Sequence, residues 1–160
     1  MEQSERRTAR RVGYGLALLA VALLFVPGDS VAAGQDPGDT ARRIKSAFDE
    51  RSSRSLGPSL SSRGRIRVDL PSLAPQAGGL LSSSQFTYLL DDLFRRNPVT
   101  TLTLAKMPEP GQTSAATVLA RLETLSSTGR RLVTSLHIVL ALEEEGWIVR
   151  EFRERRRPSS

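Results

Sequence analysis

The side chains that could do chemistry in this sequence are few: one histidine, His137, together with hydroxyls, carboxylates and arginines. The 160 residues include no cysteine, which excludes disulfides, thiol nucleophiles and cysteine-bound metals. A single imidazole likewise excludes multi-histidine metal sites. Ser135 lies on the same face of a predicted strand as His137, so a serine–histidine pair is geometrically conceivable. Because no G-x-S-x-G turn presents a nucleophile, we interpret His137 as a surface or interface residue.

Two groups of acidic residues are candidates for acid–base or cation chemistry, one at residues 91–92 and one at residues 143–145. Adjacent residues of a helix point in different directions, and the second group falls in a predicted hairpin turn. We therefore interpret both groups as solvated charge. The glycine-containing segments lack the further glycine or lysine of a phosphate-binding loop. The sequence predicts no catalytic, cofactor-binding or metal-binding residue and no cofactor.

Arginine dominates the basic residues, and five arginines cluster near the C-terminus. The chain carries 23 Lys and Arg against 17 Asp and Glu, which gives a net charge of +6. The cluster could bind the phosphate groups of anionic lipid or of nucleic acid; its members are Arg150, Arg153, Arg155, Arg156 and Arg157. No series of aromatic side chains interleaves with them to stack on bases, so we expect no nucleic acid. A solvated basic tail at residues 156–160 is the simplest interpretation, with an anionic envelope surface as the alternative.

The first 33 residues have the pattern of an export signal. Four arginines precede an uncharged stretch at residues 12–26, and small residues follow at 30–33. Because the stretch has 15 residues and a membrane-spanning helix needs about 20, we predict a cleaved signal peptide. The protein would then be periplasmic or extracellular, and the absence of disulfides favours a bacterial origin. The alternative is a retained signal-anchor, which would hold the protein at the inner membrane.

The remaining chain predicts one domain over residues 39–155, after a glycine- and proline-containing linker at residues 34–38. A first helix is expected from Asp39 or Thr40 to about Arg51. A second helix is expected over residues 82–96, because its apolar residues recur at helical spacing: Phe86, Leu89, Leu90, Leu93 and Phe94.

Strands are predicted where apolar and polar residues alternate or β-branched residues accumulate, at residues 66–70, 99–107, 115–125, 131–143 and 147–154. The segments at 52–62 and 71–79 are predicted to be loops, since they are rich in serine, glycine and proline. The last four strands are joined by short turns, as antiparallel hairpins require. Helices followed by such a sheet belong to the α+β class.

The alternation also assigns faces to the strands. We assign the aliphatic positions to the core: Val118, Ala120, Leu122, Leu132, Leu136, Ile138, Leu140 and Leu142, with Ile148 and Phe152 in the last strand. The opposite face keeps several apolar residues, and an exposed apolar patch typically marks an interface. We predict that this outer face contacts a second copy or an envelope protein through Leu119, Val133, His137, Val139, Trp147 and Val149.

The order of these elements resembles the nuclear transport factor 2-like superfamily, a cystatin-like α+β cone. Two motifs are more closely similar to a bacterial exported family of unknown function: S-Q-F-T-Y-L-L-D-D-L-F-R-R-N-P at residues 84–98 and G-W-I-V-R-E-F at residues 146–152. The resemblance covers about residues 39–155. It implies a curved antiparallel sheet of four to five strands wrapped around two or three helices, often dimeric through the outer face. It also implies a cavity that some relatives use for catalysis or binding.

The isomerases of that superfamily use a tyrosine and two carboxyl groups inside the cone. Here Tyr88 lies beside the apolar stripe of its helix, and Asp69 alternates away from the core. We therefore expect a non-enzymatic binding or scaffolding domain of the bacterial cell envelope. The alternative is a small-molecule-binding protein or isomerase-like enzyme that uses the interior of the cone.

Export has a direct test. N-terminal sequencing of the protein recovered from the producing bacterium should begin near residue 33 or 34, because small residues precede that bond. Intact Met1 in a cytoplasmic fraction would contradict export, and intact Met1 in a membrane fraction would indicate the signal-anchor.

Overall fold

The computed structural model describes residues 36–109 and 111–155. The predicted signal at residues 1–33 and the basic tail, including Arg156 and Arg157, lie outside the described residues. In the described part, no helix is both long enough and apolar enough to cross a membrane.

Three helical segments and six strands make up the described domain. In chain order they are α1 (Pro37–Asp49), a 3₁₀ helix (Ser53–Ser59), β1 (Arg65–Asp69), β2 (Gly79–Ser82), α2 (Ser83–Arg96), β3 (Val99–Lys106), β4 (Ala115–Leu125), β5 (Arg131–Glu143) and β6 (Gly146–Glu154). The α+β prediction is confirmed.

Helix α1 begins earlier than the sequence analysis predicts. The side chain of Asp36 accepts a hydrogen bond from the backbone N–H of Gly38 (2.8 Å), and Pro37 occupies the first helical position. Both features stabilise a helix start, since a carboxylate satisfies a free N–H and proline needs no N–H partner there. The predicted linker is therefore shorter, because Pro37 and Gly38 are buried residues of α1.

Helix α2 has the predicted bounds and apolar stripe. Ser82 and Gln85 form a capping box, in which the Gln85 N–H donates to the Ser82 hydroxyl (3.3 Å) and the Ser82 N–H donates to the Gln85 side chain (2.9 Å). The stripe packs into the core, so all five of its residues are buried.

The six strands form one curved, unclosed sheet in the order β2-β1-β6-β5-β4-β3. Its inner face packs against the helices. The sheet has one strand more than predicted, because β2 begins at the last residue of the expected loop at residues 71–79 and pairs with β1. It is also mixed rather than antiparallel throughout, since β1 runs parallel to β6. The helix and strands between β1 and β6 supply the long connection that parallel pairing requires.

A β-bulge in β6 overturns part of the face assignment. Val139 pairs with Glu151 and Leu140 pairs with Val149, so Arg150 is an extra residue on β6. One extra residue reverses the alternation beyond it. Trp147 and Val149 therefore belong to the core, each 1% exposed.

The outer-face prediction for Trp147 and Val149 is thus wrong. Ile148, predicted to face the main core, pairs with Ala141 and is buried outside the main core cluster. Leu142 is exposed, because it lies at the turn end of β5, whereas the central positions of β4 and β5 are buried as predicted.

Trp147→Ala tests this correction. We expect it to lower the free energy of unfolding by about 3–5 kcal/mol, because it leaves a cavity in a packed core. Val133→Ala, on the exposed outer face, should cost less than about 1 kcal/mol. Denaturant unfolding measures both, and equal small effects would place Trp147 on the surface.

Candidate functional site

The inner side of the sheet is filled by apolar side chains. Central positions of β4 and β5 are aliphatic, and they join the aromatic residues of the helices in one buried cluster. The buried polar residues of β3, β4 and β5 are threonines near the β4–β5 turn: Thr100, Thr124 and Thr134. Among the described residues, no group of three or more histidine or acidic side chains could hold a metal ion.

The largest cavity described lies between α2 and the loop that joins β1 to β2. We call it the α2 groove; its volume is about 520 Å³. It is lined by Ala74, Pro75, Gln76, Ala77, Leu81, Gln85, Tyr88, Leu89, Asp92 and Arg96. This volume lies in the range of small-molecule sites.

The β1–β2 loop forms one wall of the α2 groove because hydrogen bonds hold it in place. The N–H groups of Leu73 and Ala74 donate to the Leu70 carbonyl (3.2 and 2.7 Å), which folds the loop into a turn. The carboxylate of Glu154 accepts from the N–H groups of Ser72 (2.8 Å) and Leu73 (3.1 Å). Leu73 and Ala74 are buried, so the loop is packed on the core.

Helix α2 supplies the opposite wall from Leu89 of its buried stripe and from residues beside that stripe. Tyr88 is 68% exposed. Asp92 and Arg96 form an ion pair (2.7 Å), which reduces the net charge of this wall. The groove is therefore a mainly apolar surface with polar groups along it, as expected of a site for an apolar molecule with a polar end.

A second cavity lies beside the β4–β5 turn, and we call it the turn pocket. Its volume is about 350 Å³. Its lining is mostly polar and comprises Ser72, Leu73, Arg96, Asn97, Thr124, Ser126, Ser127, Thr128, Arg130 and Leu132. Arg96 lines both this pocket and the α2 groove.

The remaining predicted interface residues share the outer face of the sheet, but charged residues separate them. Leu119 and Val139 are half-buried, and Val133 is 43% exposed. Glu123 pairs directly with Val133 across β4 and β5. A hydrogen bond from Arg131, with the charges of Arg131 and Arg121, holds the pKa of Glu123 below its ordinary value. The outer face is thus a mixed surface of apolar and charged residues, and its role as an interface stays a prediction.

His137 lies on this outer face in a cavity of about 410 Å³ with Asp69, Arg153, Glu154 and Arg155. Its Nδ1 has no hydrogen-bond partner among the described residues, and neither does Nε of Arg153. Ser135 is an outer-face neighbour, but it forms no hydrogen bond with His137. Two carboxylates offset the two arginines here, so the cavity has little net charge at neutral pH.

The described arginines of the C-terminal cluster do not converge. Arg150, the bulge residue, pairs with Glu143 and donates to the Arg65 carbonyl (3.2 Å), so its guanidinium joins three strands. Arg153 pairs with Glu151 (2.7 Å), and Arg155 is exposed. Arg153 and Arg155 share the His137 cavity, whereas Arg150 does not line it.

No sequence pattern predicts a role for the α2 groove or for Arg130. The groove combines α2 with the loop shortly before it in the chain, but the packing of that loop on the core places it against the helix, so no sequence motif marks the groove. One signal was available: Tyr88 is a large aromatic residue beside the buried stripe of α2 and therefore exposed.

Comparisons with known proteins show the fold. No family model matches the chain, and no curated protein matches it. The Δ5-3-ketosteroid isomerase of a Mycobacterium species superposes with a TM-score of 0.60 at 11% identity, covering 76% of this chain and 94% of the isomerase. A nuclear transport factor 2-like protein of unknown function from Burkholderia pseudomallei gives 0.58 at 16% identity, covering 72% and 86%.

AusH of Aspergillus nidulans also gives a TM-score of 0.58, at 18% identity, covering 76% of this chain and 83% of AusH. At these identities the likeness concerns the fold alone. It confirms the nuclear transport factor 2-like fold predicted from the sequence. The closer similarity to an exported family stays a prediction.

One of the predicted solvated acidic groups has a structural role with a pH dependence. The Ser62 hydroxyl donates to Glu145 (2.5 Å) and the Ser62 N–H does so too (3.2 Å). These bonds, with the charges of Arg63 and Arg150, hold the pKa of Glu145 below its ordinary value. A lowered pKa stabilises the folded state at neutral pH, and this contribution disappears as the pH falls through the folded-state pKa.

Glu145→Ala should therefore lower the denaturation midpoint at pH 7 and have a smaller effect in acid, at a pH below the folded-state pKa, where the wild-type carboxylate is protonated. Glu144→Ala is the matched control, because Glu144 forms no bond with the described residues. Thermal unfolding at both pH values measures the difference. An effect of Glu145→Ala that does not change with pH would contradict this role.

Proposed function

We propose that this protein is an exported, non-enzymatic binding domain of the bacterial cell envelope, and that its α2 groove holds a small apolar molecule with a polar end. The groove itself carries this proposal. It is the largest cavity described, its lining is mainly apolar, and its walls are held by a helix and a hydrogen-bonded loop. A site on such supports needs little rearrangement to bind.

The chemistry of the lining favours binding through apolar contact. Removing apolar surface from water contributes about 25 cal/mol per Å², and the alanine, leucine and proline side chains of the groove provide such surface. Tyr88 can cover a ligand with its ring while its hydroxyl stays in water. Gln76, on the loop wall, offers an amide to a polar group of the ligand.

The packing of the inner face favours binding over catalysis. Isomerase chemistry inside the fold would require a tyrosine or carboxyl groups that converge in a cavity. Here the corresponding central positions of the sheet hold valine, alanine, leucine and isoleucine packed in the core. Tyr88 and Asp92 lie in the α2 groove instead, where Arg96 pairs with Asp92.

The cellular part of the proposal is supported by the signal pattern of residues 1–33. A homodimer or an envelope partner would use the outer face, where Leu119, Val133, His137 and Val139 remain accessible in part. Such an interface would leave the α2 groove open, because the groove is lined by α2, the β1–β2 loop and β2 rather than by β4 and β5.

The α2 groove can be tested with Nile red, an uncharged apolar dye. We expect Nile red to bind the protein with enhanced fluorescence, and we expect Tyr88→Asp to weaken binding about tenfold or more, because it places a charge beside the apolar lining. Tyr88 is exposed, so this variant should fold.

Leu80→Asp is the matched control. Leu80 is 65% exposed and lies on β2 but does not line the groove. Titration of both variants and the wild type measures the effect. Equal losses in the two variants, or no binding by the wild type, would contradict the proposal.

A further inference from the structure

The turn pocket differs in charge from the other polar cavities described. Two arginines, five hydroxyl side chains and one amide line it, and none of its lining residues carries a carboxylate. The His137 cavity contains two carboxylates, and the cavity at the β5–β6 turn contains three glutamates. The turn pocket is therefore the cavity best suited to an anion.

Both arginines have hydrogen-bond donors to offer. Arg130 forms no ion pair with any described residue. Arg96 uses Nη2 to bind Asp92, which leaves the rest of its guanidinium available. Hydrogen bonds from guanidinium groups to oxyanions are about twice as strong as those between neutral groups.

The backbone that carries Arg130 is fixed by its own turn. The Ser126 N–H donates to the Arg130 carbonyl (2.9 Å), and the Arg130 N–H donates to the Ser126 hydroxyl (3.0 Å). Gly129 closes the turn with a φ of 79°, which glycine adopts without strain. A site on an ordered turn loses less entropy when a ligand binds.

The turn pocket and the α2 groove adjoin at Arg96 and at the β1–β2 loop. Arg96 lines both cavities. Leu73 of the turn pocket is followed in the chain by Ala74 of the groove. A molecule with an apolar chain and an anionic end would therefore occupy both cavities at once, with its charge at the arginines and its chain along α2.

We infer that the turn pocket is an oxyanion site that receives the phosphate head of a single-chain lipid whose acyl chain lies in the α2 groove. This inference rests on the function proposed above for the groove. Two guanidinium groups and several hydroxyls match a phosphate, which has more oxygens than a carboxylate to satisfy. The lipid is the occupant that uses both the apolar and the cationic lining.

A matched pair of lipids tests the inference. Lauroyl lysophosphatidic acid and monolauroylglycerol share an acyl chain and a glycerol and differ in the phosphate. Their affinities, measured below their aggregation concentrations by displacement of Nile red, should differ about tenfold in favour of the phosphate at low salt. The preference should shrink as salt is added, because the arginines are exposed.

Arg130→Gln removes one of the two guanidinium groups and should reduce this preference severalfold while leaving the affinity for monolauroylglycerol unchanged, since Arg130 lines only the turn pocket. Arg155→Gln is the control with the same change of charge, and it should retain the preference. If Arg155→Gln loses the preference instead, the anion binds at the C-terminal arginines and the inference is overturned.

The remaining outcomes separate the two proposals. If both lipids bind equally well, the proposed function of the groove is supported and the oxyanion site is overturned. If neither lipid nor Nile red binds, the proposed function fails, and the inference fails with it. Inorganic phosphate is a further probe. If it shifts the amide resonances of the β4–β5 turn in the wild type but neither lipid binds, the ligand is a free oxyanion and the lipid is excluded.

Discussion

Contact among four phenylalanines holds the two long helices on the sheet. Phe48 of α1 meets Phe94 of α2 edge to face (5.3 Å between ring centres) and stacks on Phe152 of β6 (6.0 Å). Phe86 of α2 meets Phe152 edge to face (5.4 Å). These are four of the chain's five phenylalanines. The position of α2, and so of the groove along its other side, depends on this cluster.

The bulge at Arg150 determines which side chains of β6 pack in the core with the aromatic cluster. It places Trp147 and Val149 in the core together with Phe152, so nearly the whole length of β6 contributes apolar volume on the inner side. Arg150 itself is held by Glu143 and by the Arg65 carbonyl, which ties the irregular strand to both neighbours. The interior is filled as a result, and space for a ligand lies outside it.

The positions of the polar groups determine where a ligand can bind. Since α2 buries one stripe, some side chains beside it, including Tyr88 and Asp92, line a surface groove against the β1–β2 loop. Near the β4–β5 turn the inner face changes from aliphatic residues to threonines, and the arginines at the ends of α2 and of the turn lie beside them. An apolar groove and a cationic pocket thus adjoin at Arg96.

The sequence by itself determined the two long helices, five of the six strands and the α+β fold, because the stripe of α2 and the alternation in β4 and β5 are local patterns that burial enforces, whereas the 3₁₀ helix and β2 fell in or beside predicted loops. Only the tertiary structure decided the parallel pairing of β1 with β6, the faces of Trp147 and Val149, and the two adjoining cavities. The strand pairing and the turn pocket join residues far apart in the chain, and the α2 groove depends on how the β1–β2 loop packs beside α2. The single extra residue Arg150 reverses the faces of Trp147, Ile148 and Val149 relative to Phe152 without leaving a local signature.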